Sequence, residues 1–248
     1  MKISAIVIAR NEEARIEKCL SSLAWADEVI VVDSGSTDTT RELANKKGSI
    51  VVSAGDIRDF AGLRNIGKEK AHGEWLLYID ADEIISEELR KEIQDHITRS
   101  SSLINGYEVR RKNYYLGAQW PNDEYLLRFM RKDALVEWYG TLHETARVNG
   151  AVGRLNGAVV HDTHRTLEEM VAKTNEWSRI EAQLRLDAGH PPVVWWRFLR
   201  VMLTGFLDSF IKKGGWHAGV VGLIESIYQA FSIFITFAKL WELQSKHR

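Results

Sequence analysis

Three short apolar runs stop at residues that can do chemistry. Residues 3–9 lead into Asn11-Glu12-Glu13, residues 28–32 end at Asp33-Ser34-Gly35-Ser36-Thr37-Asp38, and residues 75–79 end at Asp80-Ala81-Asp82-Glu83. If the runs are parallel strands, the loops at their carboxyl ends converge on one crevice. Acidic side chains gathered there imply a cation. Asp-x-Asp behind a buried strand suits a hard divalent ion held by carboxylate oxygens and by the phosphates of a nucleotide. The pattern alone is common in surface turns, where it is only a solvated strand end. Its position behind a run apolar enough to be buried on both faces favours the site.

Other chemistries lack their signatures. Asp33-Ser34-Gly35-Ser36-Thr37 lacks the second aspartate of an Asp-x-Asp-Gly-Thr phosphotransferase loop. No Gly-x-x-x-x-Gly-Lys-Ser/Thr, Gly-x-Gly-x-x-Gly or Gly-x-Ser-x-Gly is present, which disfavours a P-loop NTPase, a dinucleotide site and a nucleophile elbow.

The elements that must position these residues alternate in the α/β manner. Asn11 is a candidate N-cap for a helix carrying Ile16, Cys19, Leu20 and Leu23 at i, i+3, i+4, i+7. Residues 50–52 read as a third strand, 60–71 as a helix, and Ser86 caps a helix bearing Leu89, Ile93 and Ile97. Residues 107–110 and 126–129 then read as strands with no helix between them, so the sheet becomes mixed. Residues 158–161 read as a last strand, and Thr166-x-x-Glu169 opens a long helix with Met170, Val171, Trp177 and Leu184 on one face. At 248 residues, 45% hydrophobic and 27% charged, the chain has material for one large domain or a domain with an appendage. A net charge of −1 removes the electrostatic warrant for a nucleic-acid binder. The single cysteine, Cys19, excludes an intrachain disulfide, and no basic, apolar, cleavable leader is visible, so a cytosolic location is expected.

Taken in order, Ile6-Val7-Ile8-Ala9-Arg10-Asn11-Glu12, Val31-Val32-Asp33-Ser34-Gly35-Ser36-Thr37-Asp38, Arg64-Asn65 before Gly73-Glu74-Trp75, and Asp80-Ala81-Asp82-Glu83 resemble the inverting glycosyltransferases of family 2, which have the GT-A fold. Gly140-Thr141-Leu142-His143-Glu144 and the aromatic C-terminal stretch are similar to the small bacterial subgroup that builds lipopolysaccharide core. The resemblance implies a GT-A domain over 1–187, with nucleotide-sugar binding in 1–100 and the acceptor side in 101–187. It implies a UDP-sugar donor held by Ala9, Asn11, Glu12, Asp33, Arg64, Asp80 and Ala81. It further implies Mn²⁺ or Mg²⁺ on Asp82 with His161, and Glu144 as the base that takes the acceptor proton. Asp123, Glu124 and Glu137 compete for that last role. The plainer alternatives are a helix cap for the next turn at Asp33, a surface helix arginine for Arg64 and a hydrogen-bonded structural residue for His161. Two rival activities are an inactive sugar-nucleotide-binding scaffold and a sugar nucleotidyltransferase. The latter would show a glycine-rich first loop where Arg10-Asn11-Glu12-Glu13 stands.

After Pro191-Pro192 the chain turns apolar and aromatic, breaks at Gly214-Gly215 and resumes, which reads as a helical hairpin over 193–248. Asp208 in the first helix and Glu225 and Gln229 in the second argue against a membrane span. Trp195, Trp196, Trp216 and Trp241 beside Arg197, Arg200, Lys212, Lys213, Lys239 and Lys246 favour docking on a bilayer over a purely internal hairpin. A peripheral enzyme on the inner face of the cytoplasmic membrane, acting on a lipid-linked glycan such as lipopolysaccharide core, is the expectation.

Overall fold

The computed structural model describes residues 1–57, 59–98, 104–140, 144–164 and 166–246. By their contacts they fall into two compact units, Met1–Lys112 with Glu124–His161, and Asn113–Asp123 with Asp162–Arg248. The first half alternates as expected: β1 (Ile3–Ala9), α1 (Ile16–Ser22), β2 (Glu28–Asp33), α2 (Thr40–Lys46), β3 (Ile50–Ser53), α3 (Phe60–Lys70) and β4 (Trp75–Asp80). Then come β5 (Glu83–Ile85), α4 (Glu87–Thr98), β6 (Ile104–Tyr115), β7 (Ala118–Gln119), β8 (Glu124–Arg131), β9 (Leu135–Tyr139), β10 (Thr145–Val148) and β11 (Ala151–His164).

Strands β3-β2-β1-β4 are parallel neighbours, and the sheet continues through β8, β6, β11 and β5. Strand β8 is antiparallel to both β4 and β6, and β5 is antiparallel to β11, so the sheet is mixed where helices no longer separate the strands. Every residue of β1 is buried. Successive side chains of a strand face opposite ways, so Ala5, Val7 and Ala9 pack with Ile16, Leu20 and Leu23 of the α1 side, while Ile6 and Ile8 pack with Leu63 of α3 and with Tyr78 and Trp138. At ~1.5–3 kcal/mol for each large apolar side chain fully buried, these two layers hold the strand ends in place.

Some expectations need correction. Helix α1 starts at Ile16, and no side chain caps it. Asn11 instead adopts φ 52°, a left-handed conformation that asparagine tolerates, and its Oδ1 accepts the Thr37 N–H at 2.8 Å. Strands β5, β7, β9 and β10 escaped the sequence because they are two to five residues long or half exposed, with Val136 and Tyr139 of β9 open to solvent. Thr141, Leu142 and His143 of the Gly140–Glu144 motif lie outside the described residues.

The second unit contains α5 (Leu167–Asp187), α6 (Trp195–Leu207), a π-helical turn Asp208–Lys212, a 3-10 turn Gly215–Ala218 and α7 (Gly219–Lys246). Helix α5 starts as expected, with the Thr166 hydroxyl accepting the Glu169 N–H. Its buried face differs from the expected one. Met170, Thr174, Ser178 and Ala182 are buried, whereas Val171 and Leu184 are exposed. Small side chains at i+4 spacing let α7 approach closely, and its Tyr228 hydroxyl donates to the Met170 carbonyl at 2.6 Å and bonds the Thr174 hydroxyl at 2.6 Å. One stretch, Gly215–Lys246, is long and apolar enough to cross a membrane by length and composition only, more apolar than the charges in the sequence suggest. Glu225 did not break the pattern because it is 1% exposed and accepts the Gln229 amide at 2.6 Å, which removes both from the outer face.

Gly157 of β11 shows how closely α4 lies on the sheet, since a Cβ there would sit 2.3 Å from Leu89 Cα. Backbone cannot yield as a flexible side chain can, so Gly157→Ala should cost about 1–3 kcal/mol of stability. Chemical denaturation checks this, and an unchanged midpoint would contradict the close approach.

Candidate functional site

The first unit gathers its charged residues at the carboxyl ends of β1, β2 and β4. Arg64 of α3 is 1% exposed, and its Nη2 donates to Asp80 Oδ1 at 2.9 Å and to Glu144 Oε1 at 2.7 Å. Its Nε reaches the same Glu144 oxygen at 3.1 Å, and its guanidinium lies over the Trp138 ring at 4.9 Å. One buried cation thus joins the Asp-x-Asp loop to Glu144. The plain alternative for Arg64, an exposed helix arginine, is excluded by its burial.

Arg128 of β8 closes the other side of Asp80. Its Nη2 donates to Asp80 Oδ2 at 2.8 Å, and the side chain is almost wholly buried. Burial alone would raise the Asp80 pKa, but Arg128 and then Arg64 outweigh it and hold the carboxyl well below the usual carboxylate range. The same pairing pushes the Arg128 pKa upward against its own burial. Glu83 is 1% exposed. Its Oε2 accepts the Asp80 backbone N–H at 2.9 Å, and its Oε1 faces Arg111 Nη1 at 3.5 Å and Arg128 Nη2 at 3.8 Å. Burial, and after it the Asp80 charge, raise the Glu83 pKa. Arg111, Arg128 and Trp138 were not singled out in the sequence, and Glu83 was named in its motif without a role. A lone arginine inside Leu126-Leu127-Arg128-Phe129 was the available signal.

Asp82 Oδ2 lies 3.3 Å from His161 Nε2 and 3.9 Å from Arg15 Nη1, and Glu12 accepts Arg15 Nη1 at 3.0 Å. Register places His161 of β11 opposite Glu83 of β5, which explains how a residue 79 positions away reaches the loop. Among the described residues no three His, Cys, Asp or Glu side chains form a metal cluster. Two donors this close still fit a divalent ion that draws its remaining ligands from phosphates and water.

The first loop serves differently. Asp33 is fully buried, and its carboxylate accepts the N–H groups of Gly35 and Ser36 at 3.2 Å, which is the turn-capping role. Gly35 has φ 88°, a conformation that side chains disfavour. The Ala9 carbonyl accepts the Ser34 N–H, the Ala81 N–H donates to the Ile8 carbonyl, and the Glu12 N–H donates to Thr40 Oγ1. These bonds lace the three strand ends together. Of the competing carboxylates, Glu124 is half exposed and paired with Arg111, Glu137 pairs with Arg147 across β9 and β10, and Asp123 belongs to the second unit. Within the first unit, Glu144 is therefore the candidate base that reaches the Asp-x-Asp loop through Arg64.

Removing one partner from a buried ion network costs far more than removing a surface one. Arg128→Met should lose about 3–5 kcal/mol by stranding Asp80 and Glu83. Arg131→Met, whose Asp133 partner is exposed, should lose at most about 1 kcal/mol. Paired urea titrations compare them, and equal losses would refute the clamp.

Comparison with known proteins agrees with this geometry. The chain is 29% identical to lipopolysaccharide core biosynthesis glycosyltransferase LpsC of Rhizobium meliloti, across 98% of this chain and 93% of that protein. It is 30% identical to an uncharacterized glycosyltransferase of Rickettsia typhi, across 100% of this chain and 89% of the relative. Among solved structures, the mannosyltransferase PcManGT from Pyrobaculum calidifontis in complex with GDP-Man and Mn²⁺ is similar with a TM-score of 0.57 at 14% identity, covering 97% of this chain and 87% of that one. Staphylococcus aureus TarS 1-349 in complex with UDP-GlcNAc gives 0.52 at 16% identity, covering 100% and 93%. These two likenesses bear on the fold, which is GT-A. The family model of Glycosyl transferase family 2 matches residues 4–153, from β1 to the start of β11 and through every strand end of the crevice, so this chain belongs to glycosyl transferase family 2.

Proposed function

We propose that the chain moves a sugar from a uridine diphosphate donor to a lipid-carried glycan, with inversion, at the crevice where Arg64 joins Asp80 to Glu144. That bridge is the observation that carries the reading, because it sets a carboxylate beside the Asp-x-Asp loop. The name of LpsC supports an acceptor in lipopolysaccharide core, and the nucleoside diphosphate class of donor is in keeping with the enzymes of the same fold that bind UDP-GlcNAc or GDP-Man.

Asp82 and His161 would hold a divalent ion, Mn²⁺ or Mg²⁺. When bound, it supplies positive charge to the departing diphosphate. Asn11 and Glu12, with Ala9 and Ala81 beside them, frame the nucleoside from the laced strand ends, and buried Asp33 holds the adjoining turn. Glu144 spends its Oε1 on Arg64, which leaves Oε2 for the acceptor hydroxyl. The acceptor oxygen forms the new bond to the anomeric carbon, its proton passes to Glu144, and the bond to the diphosphate breaks on the opposite side.

The second unit supports membrane docking. On α6, Trp195, Leu199, Leu203 and Leu207 are exposed, and on α7, Val220, Leu223, Ile227 and Phe231 are exposed, at the three- and four-residue spacing of one helix face. Helix α7 packs along α5, whose middle carries Lys173, Glu176, Arg179 and Glu181. Spanning a bilayer would take such charges into hydrocarbon at ~2.5–3.5 kcal/mol each. Lying at the interface costs nothing of the kind, so the helices dock without crossing.

Three measurements test this reading. Asp82→Ala should remove most metal-dependent affinity for UDP-sugar in calorimetry, and unchanged binding would refute its role. Glu144→Gln should lower turnover by roughly 10²- to 10⁴-fold while donor affinity holds and the chain still folds at a lowered melting temperature, because the amide oxygen can still accept from Arg64 but its charge is gone. Collapse in Glu137→Gln or Asp123→Asn instead would move the base there. Leu199→Ser with Leu203→Ser in the full chain should reduce flotation with anionic liposomes, and equal recovery would sink the docking.

A further inference from the structure

Helices α5 and α7 of the second unit flank an open groove of about 620 Å³, within the range of ~300–1,000 Å³ usual for small-molecule sites. Val171, Ala172, Phe231 and Ile235 give it apolar walls. Exposed Glu168 lines the end near the start of α5, and the two polar residues further along are engaged. The Thr174 hydroxyl bonds Tyr228 at 2.6 Å, and Asn175 accepts Lys239 Nζ on its carbonyl at 2.6 Å and on Oδ1 at 3.0 Å. With apolar walls, and with the Thr174 hydroxyl and both Asn175 oxygens engaged within the protein, the groove suits hydrocarbon rather than a sugar or a peptide.

Each wall then ends in a cation. Val171, Asn175 and Arg179 follow one another at i+4 along α5, and Phe231, Ile235 and Lys239 do so along α7. Lys239 Nζ bonds Asn175, one helical turn before Arg179 on α5, which brings the two cations to the same end of the groove, and burial and then the Arg179 charge hold the Lys239 pKa below its ordinary value. Among the described residues no carboxylate forms an ion pair with either one, and Glu242, the acid that acts on Lys239, is paired with Lys246 at 2.7 Å. Two neighbouring cations at the end of an apolar groove complement an amphiphile with an anionic head. Phe231 belongs both to this groove and to the exposed stripe of α7, so the groove opens on the face assigned to the bilayer.

We infer that the α5–α7 groove takes one hydrocarbon chain of an anionic membrane phospholipid, with the headgroup phosphate between Arg179 and Lys239. The inference rests on the docking reading and deepens it: the unit recognises an individual lipid in addition to lying on a surface.

The probe is dodecyl phosphate, titrated below its micelle concentration into the full chain by calorimetry, with dodecyl maltoside as the uncharged comparison. One saturable site is expected, with roughly tenfold weaker binding of the maltoside, equivalent to about 1.4 kcal/mol. Arg179→Gln with Lys239→Gln should remove that preference and leave maltoside binding unchanged. Ala172→Phe, at an exposed position, should fill the groove and abolish binding of both. Val171→Asp, 52% exposed, should do the same by placing a charge in the groove, and thermal melting verifies that each variant is folded. Equal affinity for the two amphiphiles, absent saturation, or unaltered binding in folded Ala172→Phe and Val171→Asp would overturn the site. Liposome flotation of the same chain separates the two readings: flotation without dodecyl phosphate binding overturns the groove alone, and groove binding without flotation overturns the docking alone.

Discussion

A guanidinium buried in the first unit cannot be left without opposite charge beside it, and the site is organised by that constraint. Arg64 meets it with Asp80 and Glu144, which lie 16 and 80 positions away in sequence, and with the face of Trp138. Uncompensated burial of such a charge costs several kcal/mol. The loop after β4 and the start of β10 are thereby tied to α3, and the catalytic reading of Glu144 depends on that tie. The α3 helix can present Arg64 there because Asp59 caps its start and Gly67 lets it settle against Ile6 of β1.

The same logic runs outward from Asp80. Arg128 pairs with it, Glu83 faces Arg128, and Arg111 faces Glu83 before meeting Glu124 at the surface. Charges alternate along the chain, so each desolvated group has an opposite neighbour in a low-dielectric setting where pairing is strong. Arginine suits these positions because its planar fork serves two carboxylates at once. Glu83 does a second job by accepting the Asp80 N–H, which closes the turn that aims Asp82 toward His161.

In the second unit the polar groups that looked disruptive are turned inward or neutralised. Glu225 and Gln229 satisfy each other, and Ser226 bonds Ser209. Asp208 pairs with Lys212 and Lys213 beside the turn into α7. With these polar atoms engaged, an outer face of α6 and α7 is left to exposed apolar side chains, the kind of surface that marks an interaction site.

The sequence by itself determined the parallel strands β1 to β4, the helices between them and the acidic strand ends, because these follow from local periodicity and from turn residues a few positions apart. It also carried the family, through motifs that sit on those strand ends. The tertiary structure alone decided what those residues face. Asn11 turned from helix cap to loop tie, Asp33 to turn cap, and Asp80 to the shared partner of two arginines. Arg128 and Glu83 emerged as parts of the site because β8 and β5 are brought there by pairings with β4 and β11. The buried stripe of α5 was likewise hidden, since Thr174 and Ser178 become interior only when α7 packs on them. Contacts between residues tens of positions apart depend on strand order and helix packing, and no local spacing in the chain encodes those.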